Sequence, residues 1–487
     1  MTRLALLLSG CSALLVATWL VAGNHEASLR TPNVPPHGDP LPFQQETKRD
    51  LSLNGPGTEA HDNNGGKHDL QKKKGTPRRK APIKGVVVDR ANIREGVTLD
   101  DLQAPDGRLW IPAAVAGPID KRLADPLFNV LVAYCQLDMA SYHDTPWLFA
   151  MGTFHQRHSG CLDDKSLVRT YRLSDLVRLV EENPDDFMDP SGFIYHETRC
   201  GSTLSANMMA AVPTNIVHSE TPPPIAVLNL CAGSGKCPPG MRERLVRTVF
   251  RLMGPVQQGH THSFFKFQSS KFVEAVETAW PDVRWIYLFR DPLEVIASNL
   301  KGAWRKAGIK KPTVGNATAP IYNLGGPCVR AVKGTRLPGA KPKPPSPDML
   351  VNACAKQLES LNEVALKQIQ GGSPNGLAVE YRQLPEVITE YVYPVHFGMA
   401  DTEKEREEYK GWMEPVTHVY SKGMATPLEG AVSKEYKQGM DLELKQEGSD
   451  EAMRAAASTM CDNYLRLVDL QQWHKVAEGS TMGTCTR

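Results

Sequence analysis

The fold class follows from the stretch Phe193–Ala210, which reads FIYHETRCGSTLSANMMA. Its apolar start predicts a buried strand, Gly201 predicts a tight turn, and the residues from Ser202 onward predict a helix. Such a unit aims backbone N–H groups and the positive end of a helix dipole at one point, which suits a phosphate. Ser202 and Thr203 add hydroxyl donors, and Arg199 adds a cation. The alternative is a glycine that is needed for steric reasons alone.

Strand and helix signals alternate on both sides of this unit. Alternating buried strands and helices predict an α/β protein with a central, mainly parallel sheet. Helices on both faces of such a sheet would give a three-layer fold. The predicted strands are Gly192–His196, Phe264–Phe267, Arg284–Phe289 and Leu377–Tyr381, and the predicted helices are Leu173–Glu182, Ser202–Ala211, Lys271–Ala279, Pro292–Leu300 and Asp348–Gln370.

The turn lacks the lysine of a nucleoside-triphosphate loop. That loop needs the pattern G-x-x-x-x-G-K-[ST], in which the lysine reaches the phosphates and the hydroxyl reaches magnesium. A partial match occurs at Gly233-Ser-Gly-Lys236, but Leu230 takes the place of the first glycine and Cys237 that of the hydroxyl. A kinase or another nucleotide-triphosphate enzyme is therefore disfavoured.

A second half-site follows at Trp285–Ser298, which reads WIYLFRDPLEVIAS. Arg290 is expected at the carboxyl end of a strand, where open α/β sheets bind their ligands. Pro292 suits the first turn of a helix, and Ser298 follows about two turns later. Arg290 and Ser298 therefore predict a second phosphate-binding pair. The alternative is a structural ion pair between Arg290 and Asp291.

The two half-sites together resemble the nucleotide-binding motifs of the sulfotransferase family, whose members bind 3′-phosphoadenosine 5′-phosphosulfate (PAPS) on a P-loop-like α/β fold. The family's [KR]-x-G-[ST]-[ST] loop is matched by Arg199-Cys-Gly-Ser-Thr203, in the arginine form that is similar to Golgi carbohydrate and tyrosylprotein sulfotransferases. Ser421-Lys-Gly423 resembles the family's C-terminal nucleotide loop. The resemblance implies that PAPS is bound by Arg199, Cys200, Gly201, Ser202, Thr203, Leu204, Arg290, Ser298, Lys422 and Gly423.

The resemblance also implies the catalytic residues. Membrane-bound members carry a glutamate base after the loop, where this chain has Glu220, and a lysine on the strand before the second motif, where it has Lys266. Cytosolic members carry a base histidine two residues after that lysine, but this chain has Gln268. Glu220, Lys266 and Arg199 are therefore the predicted catalytic residues. The alternatives are an exposed turn acid for Glu220 and a lysine that reaches solvent for Lys266.

The implied reaction is in-line transfer of the sulfuryl group from PAPS to an acceptor hydroxyl. No metal is expected, because cations and amide dipoles would neutralise the leaving group, and because neither His155/His158 nor His260/His262 has a clustered partner in the sequence. The insertion 305–347 holds nine Lys or Arg and no acidic residue, and such a surface would steer an acidic glycan or an anionic peptide acceptor. A glycan is the expected acceptor, ahead of a protein tyrosine or a small alcohol. A solvated loop is the alternative reading of that insertion. The alternative function is a catalytically inactive luminal protein that binds PAPS.

The chain of 487 residues is expected to have four parts. Residues 1–23 hold an uncharged apolar run at 4–23, long enough for a bilayer core at about 1.5 Å per residue, and residues 24–85 are a disordered basic stem. Residues 86–190 are an extension that packs on the catalytic domain, and residues 191–475 are the sulfotransferase domain. The run at 4–23 predicts a signal-anchor or a cleaved signal peptide. We therefore expect a single-pass type II Golgi membrane protein with a luminal catalytic domain, or a secreted protein.

Composition narrows the class of protein. Hydrophobic residues make up 41% of the chain, which excludes a wholly disordered protein. The 56 basic and 54 acidic residues nearly balance, so a uniformly basic nucleic-acid binder is excluded and no nucleic-acid partner is expected.

Nine cysteines follow Cys11, so at least one is unpaired. We expect this to be Cys200, and Cys231 lies close enough to Cys237 for a local disulfide. Asn316-Ala-Thr318 is a glycosylation triplet.

Overall fold

The computed structural model describes the chain from residue 86 onward, with gaps. The predicted anchor or signal segment at 1–23, the stem at 24–85, the glycosylation triplet, Lys422, Gly423 and nearly all of the insertion 305–347 lie outside the described residues. Within the described part of the chain, no helix combines the length and the apolar character needed to cross a membrane. The described residues are 86, 88–104, 107–146, 160–162, 164–231, 237–257, 259–306, 328, 347–419, 449, 451–475 and 484–485, and they all belong to one structural unit, Lys80–Arg487.

The strands form two sheets. The described strands are β1 (Ile93–Arg94), β2 (Arg108–Ala116), β3 (Leu131–Asp138), β4 (Val168–Arg172), β5 (Pro190–His196), β6 (Asn215–Ser219), β7 (His262–Gln268), β8 (Trp285–Phe289) and β9 (Gly376–Glu380). A four-stranded sheet has the order β1-β4-β3-β2, and a five-stranded sheet has the order β6-β7-β5-β8-β9.

Helices follow most of the strands. The described α-helices are α1 (Leu99–Leu102), α2 (Met139–Asp144), α3 (Leu173–Glu182), α4 (Ser202–Ala210), α5 (Pro222–Leu230), α6 (Met241–Leu252), α7 (Val273–Ala279), α8 (Pro292–Lys306), α9 (Pro347–Gln370), α10 (Glu403–Thr417), α11 (Glu451–Ser458) and α12 (Cys461–Asp469). A π-helix spans Ile388–His396, and a 3₁₀ turn at Tyr381–Gln383 follows β9 directly.

The predicted α/β class with a parallel sheet is confirmed. Every neighbouring pair in the five-stranded sheet is parallel. Strands β8 and β9 are buried along their whole length, as expected of parallel strands that are covered on both faces. The four predicted strands all occur in this sheet, because their apolar runs are the residues that such burial requires.

The fifth strand of that sheet, β6, was not predicted from the sequence. Its sequence is NIVHS, in which polar side chains are buried alongside Ile216 and Val217. These polar groups are paired inside the fold: Asn215 Nδ2 donates to the Met209 carbonyl at 2.8 Å, and His218 Nε2 lies 2.6 Å from the Met253 carbonyl. Because the burial of this strand depends on such distant partners, its own sequence lacks the apolar pattern that predicts a buried strand.

The four-stranded sheet packs beside the edge strand β6 of the parallel sheet. The Tyr142 hydroxyl of α2 accepts from the Val217 N–H at 2.8 Å and donates to the Val217 carbonyl at 3.1 Å. Helix α5, which follows β6, packs against β2. Tyr142 thus satisfies backbone groups that an edge strand would otherwise leave open.

Four disulfides join described residues. Cys231 and Cys237, which the sequence places close enough for a local disulfide, are bonded to each other. Cys200 is buried and belongs to no disulfide among the described residues, in agreement with the expectation. The other three pairs, whose connectivity the sequence left open, are Cys135–Cys161, Cys328–Cys354 and Cys461–Cys485.

Candidate active site

Most of the predicted site residues that the structure describes lie at the carboxyl edge of the parallel sheet. Strand β5 lies between β7 and β8, and the loop 197–201 follows it. Glu220 follows β6 directly, Lys266 lies two residues before the end of β7, and Arg290 follows β8 directly. Because parallel strands share one carboxyl edge, segments that are far apart in sequence meet there. The reversal of strand order beside β5 is where such sheets bind ligands.

The loop after β5 has the backbone geometry of an anion cradle. Arg199 and Gly201 have positive φ values of 54° and 82°, and α4 begins at the next residue, Ser202. Left-handed residues ahead of a helix N-terminus turn successive N–H groups toward one side. Ser202 is buried and Thr203 is half-buried. The predicted strand, turn and helix are therefore all present in this segment.

Gly201 also has a steric reason to be glycine. A Cβ atom at this position would lie 2.9 Å from Tyr381 Cδ2 and still closer to Leu384 Cδ1. The 3₁₀ turn after β9 thus packs directly on the loop. Both the positive φ and the close contact favour glycine here. The structure is therefore compatible with a glycine that is needed for packing and with one that is needed for a phosphate-binding turn.

Glu220, Lys266 and a third residue, His196, form one cluster. Lys266 Nζ lies 2.9 Å from Glu220 Oε1, and His196 Nε2 lies 3.2 Å from the same oxygen. Lys266 is wholly buried, and the Glu220 side chain is 27% exposed. Glu220 has a positive φ of 54°, and its N–H donates to the Lys266 carbonyl at 2.9 Å. The structure therefore brings the predicted base and the predicted lysine into direct contact.

This contact keeps Glu220 ionised. Burial by itself would raise the pKa of the Glu220 carboxyl, but the Lys266 ammonium and the hydrogen bond from His196 outweigh it and hold that pKa well below its usual value. The cluster offers a carboxylate that can accept a proton, together with a cation that can stabilise developing negative charge. Lys266 does not reach solvent, so the snorkelling alternative does not describe it.

We predict that Lys266→Met moves the acidic limb of the pH profile of activity to higher pH. Without the ammonium, burial of Glu220 is opposed less, so its pKa rises and the carboxyl is protonated at a higher pH than in the wild type. The measurement is kcat/KM against pH for both proteins.

Lys410→Met is the matched control for this prediction. Lys410 pairs with Glu407 at 2.9 Å on the exposed face of α10, so its loss should leave the profile unchanged. An unshifted profile in Lys266→Met would show that the ion pair does not set the pKa of Glu220.

Arg290 contacts the loop and is held by an unpredicted acid. Its Nε donates to Glu294 Oε2 at 2.6 Å, and Nη2 donates to the same oxygen. Its Nη1 donates to the Arg199 carbonyl at 3.3 Å, and its guanidinium lies over the Tyr381 ring at 3.7 Å. Arg290 thus joins the two half-sites. Glu294 stands four residues on, which is a spacing that brings side chains together on a helix.

Ser298 and Asp291 have different surroundings from those expected. Ser298 lies half-buried within α8, and the Arg290 side chain contacts Glu294, the Arg199 carbonyl and the Tyr381 ring. Asp291 caps α8 by accepting from the Leu293 and Glu294 N–H groups at 3.0 and 3.2 Å. Arg290 is thus paired with Glu294 rather than with Asp291.

The C-terminal segment reaches this half-site, which the sequence did not indicate. The Thr484 N–H donates to Asp291 Oδ2 at 2.6 Å, and its hydroxyl donates to Asp291 Oδ1 at 3.0 Å. The next residue, Cys485, is bonded to Cys461 in α12. A residue close to the C-terminus is thereby fixed beside Arg290.

Glu197, the first residue of the loop, is a buried acid. Its Oε1 accepts from the Arg290 N–H at 2.9 Å. Burial raises the pKa of Glu197 well above its usual value, because it outweighs the favourable backbone hydrogen bond from Arg290. Gln268, the last residue of β7, donates to the Glu197 carbonyl at 3.3 Å.

No protein-family model matches this chain, and no curated protein matches it. Among solved structures, the chain is similar to a sulfotransferase, STF9, from Mycobacterium avium. The TM-score is 0.32 and the identity is 12%, over 59% of this chain and 80% of that chain. A similarity this low carries no argument, so the function proposed below rests on the site itself.

Proposed function

We propose that this protein is a PAPS-dependent sulfotransferase with a P-loop-like catalytic domain. The observation that carries the proposal is the convergence of both half-sites and an acid–base cluster at one sheet edge. Arg290 Nη1 lies 3.3 Å from the Arg199 carbonyl. The Glu220 cluster adjoins the same loop through His196, the last residue of β5. A nucleotide that bridges the half-sites would bring its phosphosulfate near Glu220 and Lys266.

In this proposal the two half-sites hold the two ends of PAPS. Arg199 and the N–H and hydroxyl groups of residues 200–204 bind the 5′-phosphosulfate, because the left-handed turn and the start of α4 favour an anion there. Arg290 and Ser298 bind the 3′-phosphate, which requires Arg290 to exchange Glu294 for the phosphate. Lys422 and Gly423 complete the nucleotide site.

The acid–base cluster performs the transfer. The acceptor hydroxyl oxygen attacks sulfur, the bond from sulfur to the bridging oxygen of the phosphosulfate breaks, and Glu220 takes the hydroxyl proton. Lys266 and Arg199 stabilise the negative charge that builds on the departing 5′-phosphate. When Lys266 turns toward that phosphate, its hold on Glu220 weakens and the pKa of Glu220 rises. The base thus becomes stronger at the moment when it is needed.

The acceptor and the location are proposed from the sequence. The basic insertion 305–347 favours an anionic glycan hydroxyl as the acceptor. The apolar run at 4–23 favours a type II Golgi membrane protein with a luminal catalytic domain, with secretion as the alternative. No metal takes part in the proposed transfer, because the cations of the site serve the leaving group.

One observation favours a second candidate, a protein that binds PAPS without transferring sulfate. Two of the cations proposed for the nucleotide have acidic partners within the protein: Lys266 pairs with Glu220, and Arg290 pairs with Glu294. If these pairs persist when the nucleotide binds, Glu220 and Lys266 are not available for catalysis. The kinase alternative remains disfavoured by the missing loop lysine.

Transfer of labelled sulfate distinguishes these candidates. The full chain is incubated with PAPS that carries labelled sulfate and with a mixture of glycans, tyrosine peptides and small alcohols. Label that appears in one acceptor class supports the enzyme and identifies that class. Binding of adenosine 3′,5′-bisphosphate without transfer to any acceptor would favour the binding protein, and no binding would reject both.

We predict opposite effects of two variants on the affinity for adenosine 3′,5′-bisphosphate. Arg290→Ala removes a charge-assisted contact to the 3′-phosphate and should weaken binding by at least about tenfold, since such hydrogen bonds contribute roughly 1.5–3 kcal/mol. Glu294→Gln removes the acid that competes for Arg290, so it should strengthen binding. Calorimetric titration measures both.

Adenosine 5′-phosphate, which lacks the 3′-phosphate, is the control ligand. Its affinity should respond much less to either variant. Unchanged binding of the bisphosphate to Arg290→Ala would contradict the role proposed for Arg290.

A further inference from the structure

We propose that His143 and His260 together bind a divalent metal ion, of which Zn²⁺ is the best match, at a site separate from the candidate active site. His143 lies near the end of α2, and His260 precedes β7. Their Nε2 atoms are 3.2 Å apart. This proposal does not depend on sulfate transfer, and it concerns the stability of the fold.

Hydrogen bonds fix the tautomer of both rings. His143 Nδ1 lies 2.9 Å from the Ala210 carbonyl, and His260 Nδ1 lies 2.7 Å from the Gln257 carbonyl. A carbonyl oxygen can only accept, so each Nδ1 must carry the hydrogen. In a neutral imidazole, the other nitrogen then carries a lone pair. Both Nε2 atoms therefore face each other with lone pairs, an arrangement that needs a cation to be favourable.

A tetrahedral metal ion fits the spacing of the two rings. Bonds of about 2.0–2.1 Å to Zn²⁺ at a tetrahedral angle separate two nitrogen atoms by about 3.3 Å and two ring centroids by about 5.2 Å. The measured separations are 3.2 Å and 5.5 Å. Metal-binding histidines also typically donate their second ring N–H to a backbone carbonyl, as both rings do here.

A shared proton is the competing cation. His260 is 3% exposed, and a proton shared by the two Nε2 atoms would occupy the position of the metal ion. A metal ion binds the neutral imidazole, so metal binding would displace that proton.

Two protein ligands leave coordination positions for water or small anions. In the described part of the chain, no group of three or more His, Cys, Asp or Glu side chains is arranged for a metal, so the two histidines are the protein ligands of this proposal. His262, two residues beyond His260, lies 2.8 Å from the Thr261 hydroxyl through its Nδ1. It is therefore a matched histidine outside the pair.

The position of the pair indicates a structural role. Ala210 ends α4, whose other end carries the loop at Gly201. The pair thus lies about 13 Å from the loop along the helix at 1.5 Å per residue. A metal here would connect α2, the end of α4 and the turn before β7. It would stabilise the seam between the two sheets and would not take part in the chemistry.

The test is a calorimetric titration of the chelator-treated full chain with Zn²⁺ alone, with no nucleotide present. We expect one equivalent of Zn²⁺ to bind and to raise the thermal unfolding midpoint by a few degrees, because the ion binds the folded state. His143→Gln and His260→Gln should each weaken binding by at least tenfold, and His262→Gln should leave it unchanged. Co²⁺ should give the visible absorption of a tetrahedral site in the wild type and in His262→Gln only.

Two results would overturn the proposal. One is binding that all three variants retain or lose equally, which would mean adventitious binding elsewhere. The other is a thermal unfolding midpoint of the wild type that does not change with Zn²⁺ but rises on acidification. If His143→Gln and His260→Gln abolish that rise, the cation shared by the two rings is a proton. If one glutamine variant does not fold, the other variant and the Co²⁺ spectrum still decide.

Discussion

Glu220→Gln is expected to lower kcat for sulfate transfer by about 10²–10⁴-fold while the affinity for adenosine 3′,5′-bisphosphate stays close to that of the wild type. The substitution keeps the size of the side chain but removes the carboxylate that accepts the hydroxyl proton, and general-base catalysis typically contributes a factor of this size. The nucleotide contacts of the proposed site come from the loop and from Arg290, so binding should survive. Single-turnover transfer and calorimetry measure the two effects.

The control for this variant must separate catalysis from stability. Removal of Glu220 leaves Lys266, which is wholly buried, without the carboxylate 2.9 Å away, and an unpaired buried charge is strongly destabilising. The double variant Glu220→Gln/Lys266→Met removes both charges and should recover stability but not activity. Glu181→Gln breaks a comparable pair with Arg244 at 2.6 Å on the surface and should leave turnover unchanged. Wild-type turnover in Glu220→Gln would exclude Glu220 as the base.

Gly201→Ala is expected to destabilise the protein by about 2–5 kcal/mol and to abolish nucleotide binding. A left-handed conformation costs an L-residue roughly 1–2 kcal/mol, and overpacking adds about 1–3 kcal/mol, because the new Cβ would lie 2.9 Å from Tyr381 Cδ2. Relief of that contact requires the loop to move, which misdirects its N–H groups. Denaturant unfolding and calorimetry measure the two losses.

Gly240→Ala is the matched control, because Gly240 also has a positive φ, 73°, at the start of a helix, α6. A Cβ there would meet no atom within 4 Å. We expect only the conformational cost of about 1–2 kcal/mol and unchanged nucleotide binding. If both variants lost the same free energy of unfolding and the same nucleotide affinity, the contact of Gly201 with the turn after β9 would not explain the effect of Gly201→Ala.

Local patterns were sufficient for four of the five described strands of the parallel sheet and for the loop. The runs FIY and WIYLF are apolar over their whole length, so they predict buried strands wherever they stand in the sheet. Gly201 between a strand and a helix predicts the turn, and its φ of 82° agrees. Strand β6 was missed because its polar residues are buried only through partners such as Met209 and Met253.

The site was predicted residue by residue, but its pairings were not. Glu220 and Lys266 were each assigned a separate role from the resemblance, and their direct contact at 2.9 Å, with His196 beside them, emerges only when β5, β6 and β7 align. Glu294 carried a local signal, its spacing of four residues from Arg290, that could have been used. Thr484 carried none, since it reaches Asp291 from the far end of the chain.

The sequence by itself determined the α/β class and the strand–turn–helix loop, because both follow from the order of apolar runs and turn residues along the chain. The tertiary structure alone decided which distant side chains meet, such as Lys266 with Glu220 and His143 with His260. Pairing across strands depends on strand order, and strand order is set by how the whole sheet buries its apolar surface rather than by any short segment. The charge pairing across the strands of the candidate site is therefore set by the tertiary structure.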